Sequence, residues 1–289
     1  MTDVAARHDE LRPLMFSIAY RMVGSVVEAE DITQEAFLRL HRDTTEATSP
    51  EAYAATVTTR LAIDHLRSAR ARRERYVGGW LPEPLLTTGE ESDPAARAEI
   101  DDSLSVAFLA VLERLSPVER AVFILREVFE YDYDRVASIV EKTPQNCRQI
   151  LVRARARIDE ARPRFPVSPG RRDELAKRFF AACRDGDLAG LESLLAEDVT
   201  FYGDGGGKAP AVRKPVVGRV QVARFLLGLV RQAQHNRLRI EQLSVNGQPG
   251  ACVVDDAGHV LSVLALDLTS DHVRAVHNQL NPDKLRHLG

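Results

Sequence analysis

The sequence predicts a multidomain chain: two all-α blocks followed by one α+β block. Three observations carry that expectation. Residues 8–77 show helical spacing of apolar residues with almost no Gly or Pro inside the periodic runs, and a second helical block spans 95–162. Two breaks, VGGWLPEPLLTTGEESDP from Val77 to Pro94 and RPRFPVSPG ending at Gly170, are too rich in Pro and Gly to continue a helix. Past residue 171, helical stretches give way to β-branched runs (VTFY, CVVDD, VLSVLALDL) separated by turn signals such as Asp256-Ala257-Gly258. The expected domains are 8–77, a linker 78–94, 95–162 and 171–289. Trp80, Leu81, Leu85 and Leu86 argue that the linker is not a wholly disordered tether.

Length and composition set the outer bounds. A chain of 289 residues exceeds one typical domain. A net charge of −3 is no global signature of nucleic-acid binding, so any such activity must reside in local basic patches. The N-terminal MTDVAARHDELRP lacks the apolar core of a signal peptide, and no run of about 18 apolar residues exists, so neither export nor a membrane span is expected. Cys147, Cys183 and Cys252 are odd in number, widely spaced and without a metal-ligand pattern. They read as small buried apolar residues of a cytoplasmic protein, with no metal or cofactor expected.

In the first block, EAEDITQEAFLRLHR (Glu28–Arg42) places Ala29, Ile32, Ala36, Phe37 and Leu40 on one stripe. Glu28, Asp31, Gln34, Glu35 and Leu38 face elsewhere. That acidic stripe with an apolar residue in it suits a basic protein partner, against the alternative of a plain solvated face. RDTTEATS follows, a short hydroxyl-rich loop able to form a pocket for an extruded base. The next helix clusters Arg60, Arg67, Arg70, Arg72, Arg73 and Arg75 against only Asp64 and Glu74, the footprint expected for a phosphate backbone.

In the second block, Ser116-Pro117 and Thr143-Pro144, like Ser49-Pro50 before them, put a capping hydroxyl ahead of a proline at the first helical position. Ser116 and Glu119 have capping-box spacing. From Thr143 the sequence reads TPQNCRQILVRARARI. Cys147, Ile150, Leu151, Ala154 and Ile158 form its apolar stripe, and Gln145, Arg148, Gln149, Val152 and Arg155 the opposite one, flanked by Asn146 and Arg153. YDRVASIVEKT, immediately upstream, is a short amphipathic helix. The pair makes a helix-turn-helix whose second helix carries Gln, Asn and Arg near its N-terminus, where base edges are read. Arg155, Arg157 and Arg162, further along, suit phosphates. EKT stands in the turn where a glycine is common.

These pieces resemble the extracytoplasmic-function sigma factors of bacterial RNA polymerase. The resemblance rests on EDITQEAFLRL, AIDHLRSARAR and the LERLSPVERAVFILREVFEYDYDRVASIV…RQILVRARARI module, over about residues 8–162. It implies a region-two helical bundle and a region-four helix-turn-helix domain. It also implies core RNA polymerase (β′ clamp and β flap) and promoter DNA as partners. Asp31, Gln34, Glu35 and Leu38 would grip the clamp. Thr44, Thr45, Arg60, His65, Arg67, Arg70 and Arg73 would melt and read the minus-ten element. Pro144, Gln145, Asn146, Arg148, Gln149, Arg153 and Arg155 would serve the minus-thirty-five element. Many relatives carry Asn where Arg60 stands.

The third block resembles the SnoaL-like domains of the NTF2-like superfamily, in which helices precede a curved sheet around a cone-shaped pocket. One subgroup of these sigma factors carries such an extension, with a WLPEPL-type linker, a DGGGK-type loop and an NPDK-type terminal motif. The matching residues here are Trp80, Leu81 and Pro82 with Glu83-Pro84-Leu85; Asp204, Gly205, Gly206, Gly207 and Lys208; and Asn281, Pro282, Asp283 and Lys284. The resemblance implies regulation in cis, by docking on the helical blocks or on the linker, with an unidentified small ligand of the pocket as modulator. Asp204 is the candidate base if the block is an enzyme, and His235, His259, His272 and His277 are available to it. The alternative function is a SnoaL-like enzyme or ligand sensor with a degenerate sigma portion. The favoured reading is a non-enzymatic one.

Overall fold

The computed structural model describes residues 7–42, 49–73, 76–87, 103–161 and 168–289. It divides into two compact units, Met1–Arg75 with Val111–Pro163, and Tyr76–Ala110 with Arg164–Gly289. The predicted Thr44 and Thr45 lie outside the described residues, as do the side chains of Arg70 and Arg73.

The first unit is built from α1 (His8–Val23), α2 (Val26–Arg42), α3 (Pro50–Arg73), the end of α4 (Val106–Leu112), α5 (Pro117–Glu127), α6 (Tyr133–Val140) and α7 (Pro144–Ala161). The α1–α3 bundle closes on Leu11, Met15, Ala36, Phe37, Leu40 and Ala54, with Tyr53, Val57 and Leu61 packed at its margin. Gly24 ends α1 in the left-handed conformation, which a residue without a Cβ adopts freely. Each proline-led helix start of this unit is capped. The Ser49 hydroxyl accepts from Ala52 N at 3.2 Å and the Thr143 hydroxyl from Asn146 N at 3.2 Å. Ser116 and Glu119 satisfy both donors of a capping box. Buried Arg120 on α5 donates to Met22 O at the end of α1 at 2.6 Å, which joins the two helical blocks.

The second unit is a seven-stranded sheet, ordered β1-β4-β5-β6-β7-β2-β3, with helices against it. Its elements are β1 (Leu86–Thr87), α8 (Pro169–Asp185), α9 (Leu188–Leu194), β2 (Leu195–Asp204), β3 (Val216–Val217), α10 (Arg219–His235), β4 (Arg239–Val245), β5 (Gln248–Val254), β6 (Val260–Leu268), β7 (Val273–Gln279) and α11 (Pro282–Leu285). Pairing is antiparallel except between β2 and β7. One core lies between α8–α10 and the sheet, around Phe179, Leu191, Val199, Phe201, Leu226 and Val276. A second collects Leu81, Val106, Val245, Val254, Val263 and Leu285.

The linker thus folds as part of the α+β unit. Leu81 is buried in that second core, and Leu86 and Thr87 add strand β1 to the β4 edge. The physical cause is the linker's own apolar content, because adding a strand to an open edge satisfies backbone groups while the alternate side chains bury. No described helix is long and apolar enough to cross a membrane.

Candidate nucleic-acid interface and an internal lock

The helix-turn-helix of the first unit is shaped by local chemistry. Asp132 caps α6, accepting from Arg135 N at 2.7 Å. The turn has no glycine, so Glu141 itself takes the left-handed conformation, at φ 56°. For a residue with a Cβ that costs about 1–2 kcal/mol. All five residues of the α7 apolar stripe (Cys147, Ile150, Leu151, Ala154, Ile158) are buried, which leaves the opposite stripe in solvent. Gln145, Asn146, Gln149 and Arg153 are exposed. Arg148 is also exposed, with its guanidinium 4.8 Å from the Tyr133 ring centre. Further along, Arg155 forms a two-point pair with Glu127 at 2.7 and 3.1 Å, and Arg157 reaches Glu119 at 2.6 Å. These two arginines, read from the sequence as suited to phosphates, are each paired with an acid of α5. The acids that hold them lie 28 and 38 positions away in the chain, beyond the reach of a helical pattern.

On the other helical block, Asp31, Gln34, Glu35 and Leu38 share one face of α2. Leu38 is half-exposed and Glu35 is paired with Arg39 at 2.9 Å. His65 meets Glu28 at 3.0 Å and Arg67 meets Asp64 at 3.4 Å. Arg60 donates to Ile139 O at 3.0 Å and Ser138 O at 2.9 Å, and lies 3.4 Å from Glu141. A cation therefore sits on the carbonyl end of α6, where the helix dipole favours positive charge. A residue expected at the minus-ten element is here bonded to the first helix of the helix-turn-helix.

The second unit brings the WLPEPL, DGGGK and NPDK motifs together. Asp204 ends β2 and is fully buried. One carboxylate oxygen accepts from the Tyr76 hydroxyl at 2.6 Å and Gly206 N at 3.0 Å. The other accepts from Leu81 N at 2.9 Å, Lys284 Nζ at 2.8 Å and Gln279 Nε2 at 3.3 Å. Lys284 also donates to Leu81 O at 2.6 Å, with its ammonium 4.6 and 4.5 Å from the Tyr76 and Trp80 ring centres. Gln279 reaches Leu81 O and Pro82 O, and Asn281 donates to the Tyr76 hydroxyl at 2.9 Å. Burial first, and the Asp204 carboxylate second, push the Tyr76 phenol above its ordinary pKa. The glycines are sterically required. A Cβ on Gly206 would stand 2.2 Å from Asn281 Nδ2, and one on Gly205 would stand 2.2 Å from Ala209 O. Lys208 pairs with Asp283, so the DGGGK and NPDK motifs are also joined at the surface.

This geometry changes the standing of Asp204 as a candidate base. Five donors already fill a carboxylate that has about four lone-pair directions, so a substrate proton meets no free acceptor. Tyr76 and Gln279 were not singled out from the sequence. Tyr76 is the penultimate residue of the first block as read from the pattern, and only the fold attaches it to Asp204. A small pocket beside the second core is lined by Leu81, Pro82, Pro84, Val106, Val245, Val263, Ala265, His277 and Gln279, and leaves room for about one water molecule. Among the histidines, His277 lies in that lining and stacks on Tyr202, while His259 pairs with Asp255 at 3.0 Å on an exposed turn.

Two helical modules, the second a capped helix-turn-helix with polar and basic side chains outward, followed by an α+β cone, define a DNA-binding initiation factor with an appended domain. Family profiles agree with that make-up. Sigma-70 region 2 matches residues 8–72, Sigma-70 region 4 matches 105–158, and the SnoaL-like domain matches 176–276. The ECF RNA polymerase sigma factor SigJ of Mycobacterium tuberculosis is 37% identical over 284 residues, covering 96% of this chain and 91% of that protein. The probable ECF sigma factor SigI of the same species is 33% identical over 277 residues, covering 95% of this chain and 92% of its own. The crystal structure of M. tuberculosis SigJ matches with a TM-score of 0.78 at 34% identity, covering 98% of each chain. The chain belongs to the extracytoplasmic-function RNA polymerase sigma factors, in the subgroup that carries a SnoaL-like C-terminal extension.

Proposed function

We propose that the chain binds core RNA polymerase in the bacterial cytoplasm and directs promoter-specific initiation, with its SnoaL-like domain as regulator in cis. The observation that carries the reading is the α7 face. Gln145, Asn146, Arg148, Gln149 and Arg153 stand in solvent on the helix that a helix-turn-helix inserts in the major groove. Arg pairs bidentately with guanine, and Asn or Gln with adenine. The face of α2 carrying Asp31, Gln34, Glu35 and Leu38 docks on the β′ clamp, and the second helical block on the β flap. Minus-ten reading by Arg60 requires it to leave Ser138 O and Ile139 O, so the helical blocks part on engaging the promoter.

Regulation in cis acts through the linker. WLPEPL occupies the pocket beside the second core, and Asp204, Lys284 and Gln279 hold it there. Any small ligand of this pocket therefore competes with Leu81 and Pro82, and it modulates activity through its differential affinity for the linker-in and linker-out states.

Run-off transcription with core polymerase tests the proposal. The full chain gives promoter-dependent transcripts, and a chain lacking residues 171–289 gives an altered yield on the same promoter. Absence of transcripts from both would overturn the reading.

A further inference from the structure

The second unit holds an uncompensated basic surface that neither the linker lock nor the promoter-reading helices use. From Gly205 to Ile240 the chain has no Asp or Glu, although an average stretch of that length would carry about five of its 42 acids. The same stretch carries Lys208, Arg213, Lys214, Arg219, Arg224, Arg231, Arg237 and Arg239. Lys208 is paired with Asp283, Arg219 donates to Leu195 O, and Arg239 lies 3.5 Å from Glu241. Arg213, Lys214, Arg224, Arg231 and Arg237 are all exposed, and their side chains have no hydrogen-bond or ion-pair partner among the described residues.

Helix α10 organises this charge. Its inner face buries Val222, Ala223, Leu226, Leu227 and Ala233. Arg224, Gly228, Arg231 and His235 follow at spacings of four, three and four, so they line one solvent-facing stripe. Arg224 and Arg231 stand about 10 Å apart along the axis. Gly228 lies between them on the same stripe. A glycine inside a helix is unfavourable, and an added Cβ there would meet nothing within 4 Å. Packing within the protein therefore does not require it. A missing side chain between two free arginines gives a bulky ligand close access to the helix, with a guanidinium on either side. Arg237, just past the helix, holds a positive φ of 57° that Gly or Asn would adopt more easily, so a cation is kept at that end too.

We infer that the Arg224–Gly228–Arg231 stripe of α10, with Arg213, Lys214 and Arg237, is a third DNA contact of the chain, taking the phosphate backbone of duplex without reading sequence. The inference rests on the chain acting at promoters. Duplex DNA is favoured as occupant because a stretch of 36 residues carries eight Lys and Arg with no interspersed acid, the charge complement of a phosphate backbone. Half or more of protein–DNA hydrogen bonds go to phosphate and sugar, and two guanidiniums about 10 Å apart along one helix suit that mode.

Fluorescence anisotropy of the full chain on a labelled random-sequence duplex, across a salt series, tests this. Replacing Arg224→Gln together with Arg231→Gln lowers affinity about tenfold or more at 100 mM salt. It also reduces the log–log salt slope by about 1.8, the release expected for two phosphate contacts. Gly228→Leu weakens binding several-fold without lowering the thermal midpoint, because leucine is the better helix former. Unchanged affinity and slope in both variants overturn the inference. So does normal duplex binding combined with loss of co-elution with core polymerase, which would make an acidic protein the partner. If the double variant melts early, Gly228→Leu decides alone. Arg148→Ala separates this inference from the promoter reading: it impairs promoter-specific transcription and leaves random-duplex binding largely intact.

Discussion

The two units handle charge in opposite ways. In the first, several surface arginines pair with partly exposed acids, Arg39 with Glu35, Arg155 with Glu127 and Arg157 with Glu119, and Arg120 pairs from a buried position with Glu113. In the second, one ion pair, Lys284–Asp204, is nearly removed from solvent, while the arginines of α10 pair with no acid among the described residues. A surface pair is worth little and exchanges readily for phosphate, which suits a face that must bind and release a promoter. A buried pair is strongly destabilising to break from one side, which suits a lock. The contrast assigns α7 to exchange and the Asp204 cluster to holding.

The largest expected effect tests the lock. Asp204→Asn leaves the Lys284 ammonium buried with no counter-charge, and weakens the bonds from the Tyr76 hydroxyl and Leu81 N. About 3–5 kcal/mol of stability is lost from the second unit. Differential scanning calorimetry then shows a lower transition, and limited proteolysis cuts faster near Trp80–Leu86. A melting profile superimposable on that of the wild type would remove the lock from the account.

Next in size is the contrast between two arginines. Arg148→Ala costs about 1–3 kcal/mol on promoters with the preferred base and little on promoters already mismatched there. Arg224→Ala weakens all duplexes alike. Transcription from a panel of single-base promoter variants separates the two patterns. A uniform loss for Arg148→Ala would make α7 another backbone binder and erase the difference between the two basic helices.

Much of this was legible in the sequence, and the limits have a physical cause. Helical spacing identified the buried stripes of α2 and α7, because periodicity reports a local property that the fold preserves. The caps at Ser49, Ser116 and Thr143 were legible for the same reason: a cap closes within three residues. The motifs around Asp204, Gly206 and Asn281 were visible as patterns. Their convergence was not, since Tyr76 and Asp204 are 128 positions apart and Leu81 and Lys284 are 203 apart. Nothing in the local pattern marks Tyr76 or Gln279 as bonded to Asp204. The bonding of Arg60 to α6 escaped for the same reason, at a separation of 78 and 79 positions.

The smallest effect tests the first unit's side of the comparison. Glu119 accepts from Ser116 N at 2.9 Å and from Arg157 at 2.6 Å. Burial raises its pKa, but the Ser116 backbone and side-chain bonds, then Arg157, outweigh that and hold it below the ordinary value of 4.5. A carboxyl with a depressed pKa in the folded state contributes stability above its unfolded pKa and loses it as pH falls through the folded value. Glu119→Gln keeps the capping-box hydrogen bond and removes only the charge. The variant is therefore about 0.3–1 kcal/mol less stable at pH 7, and the difference closes as the solution is taken well below pH 4.5. Urea midpoints at pH 7 and pH 3 measure both ends. A gap that persists at pH 3 would mean that Glu119 acts through packing and not through its charge, and would remove this ion pair from the first unit's side of the comparison.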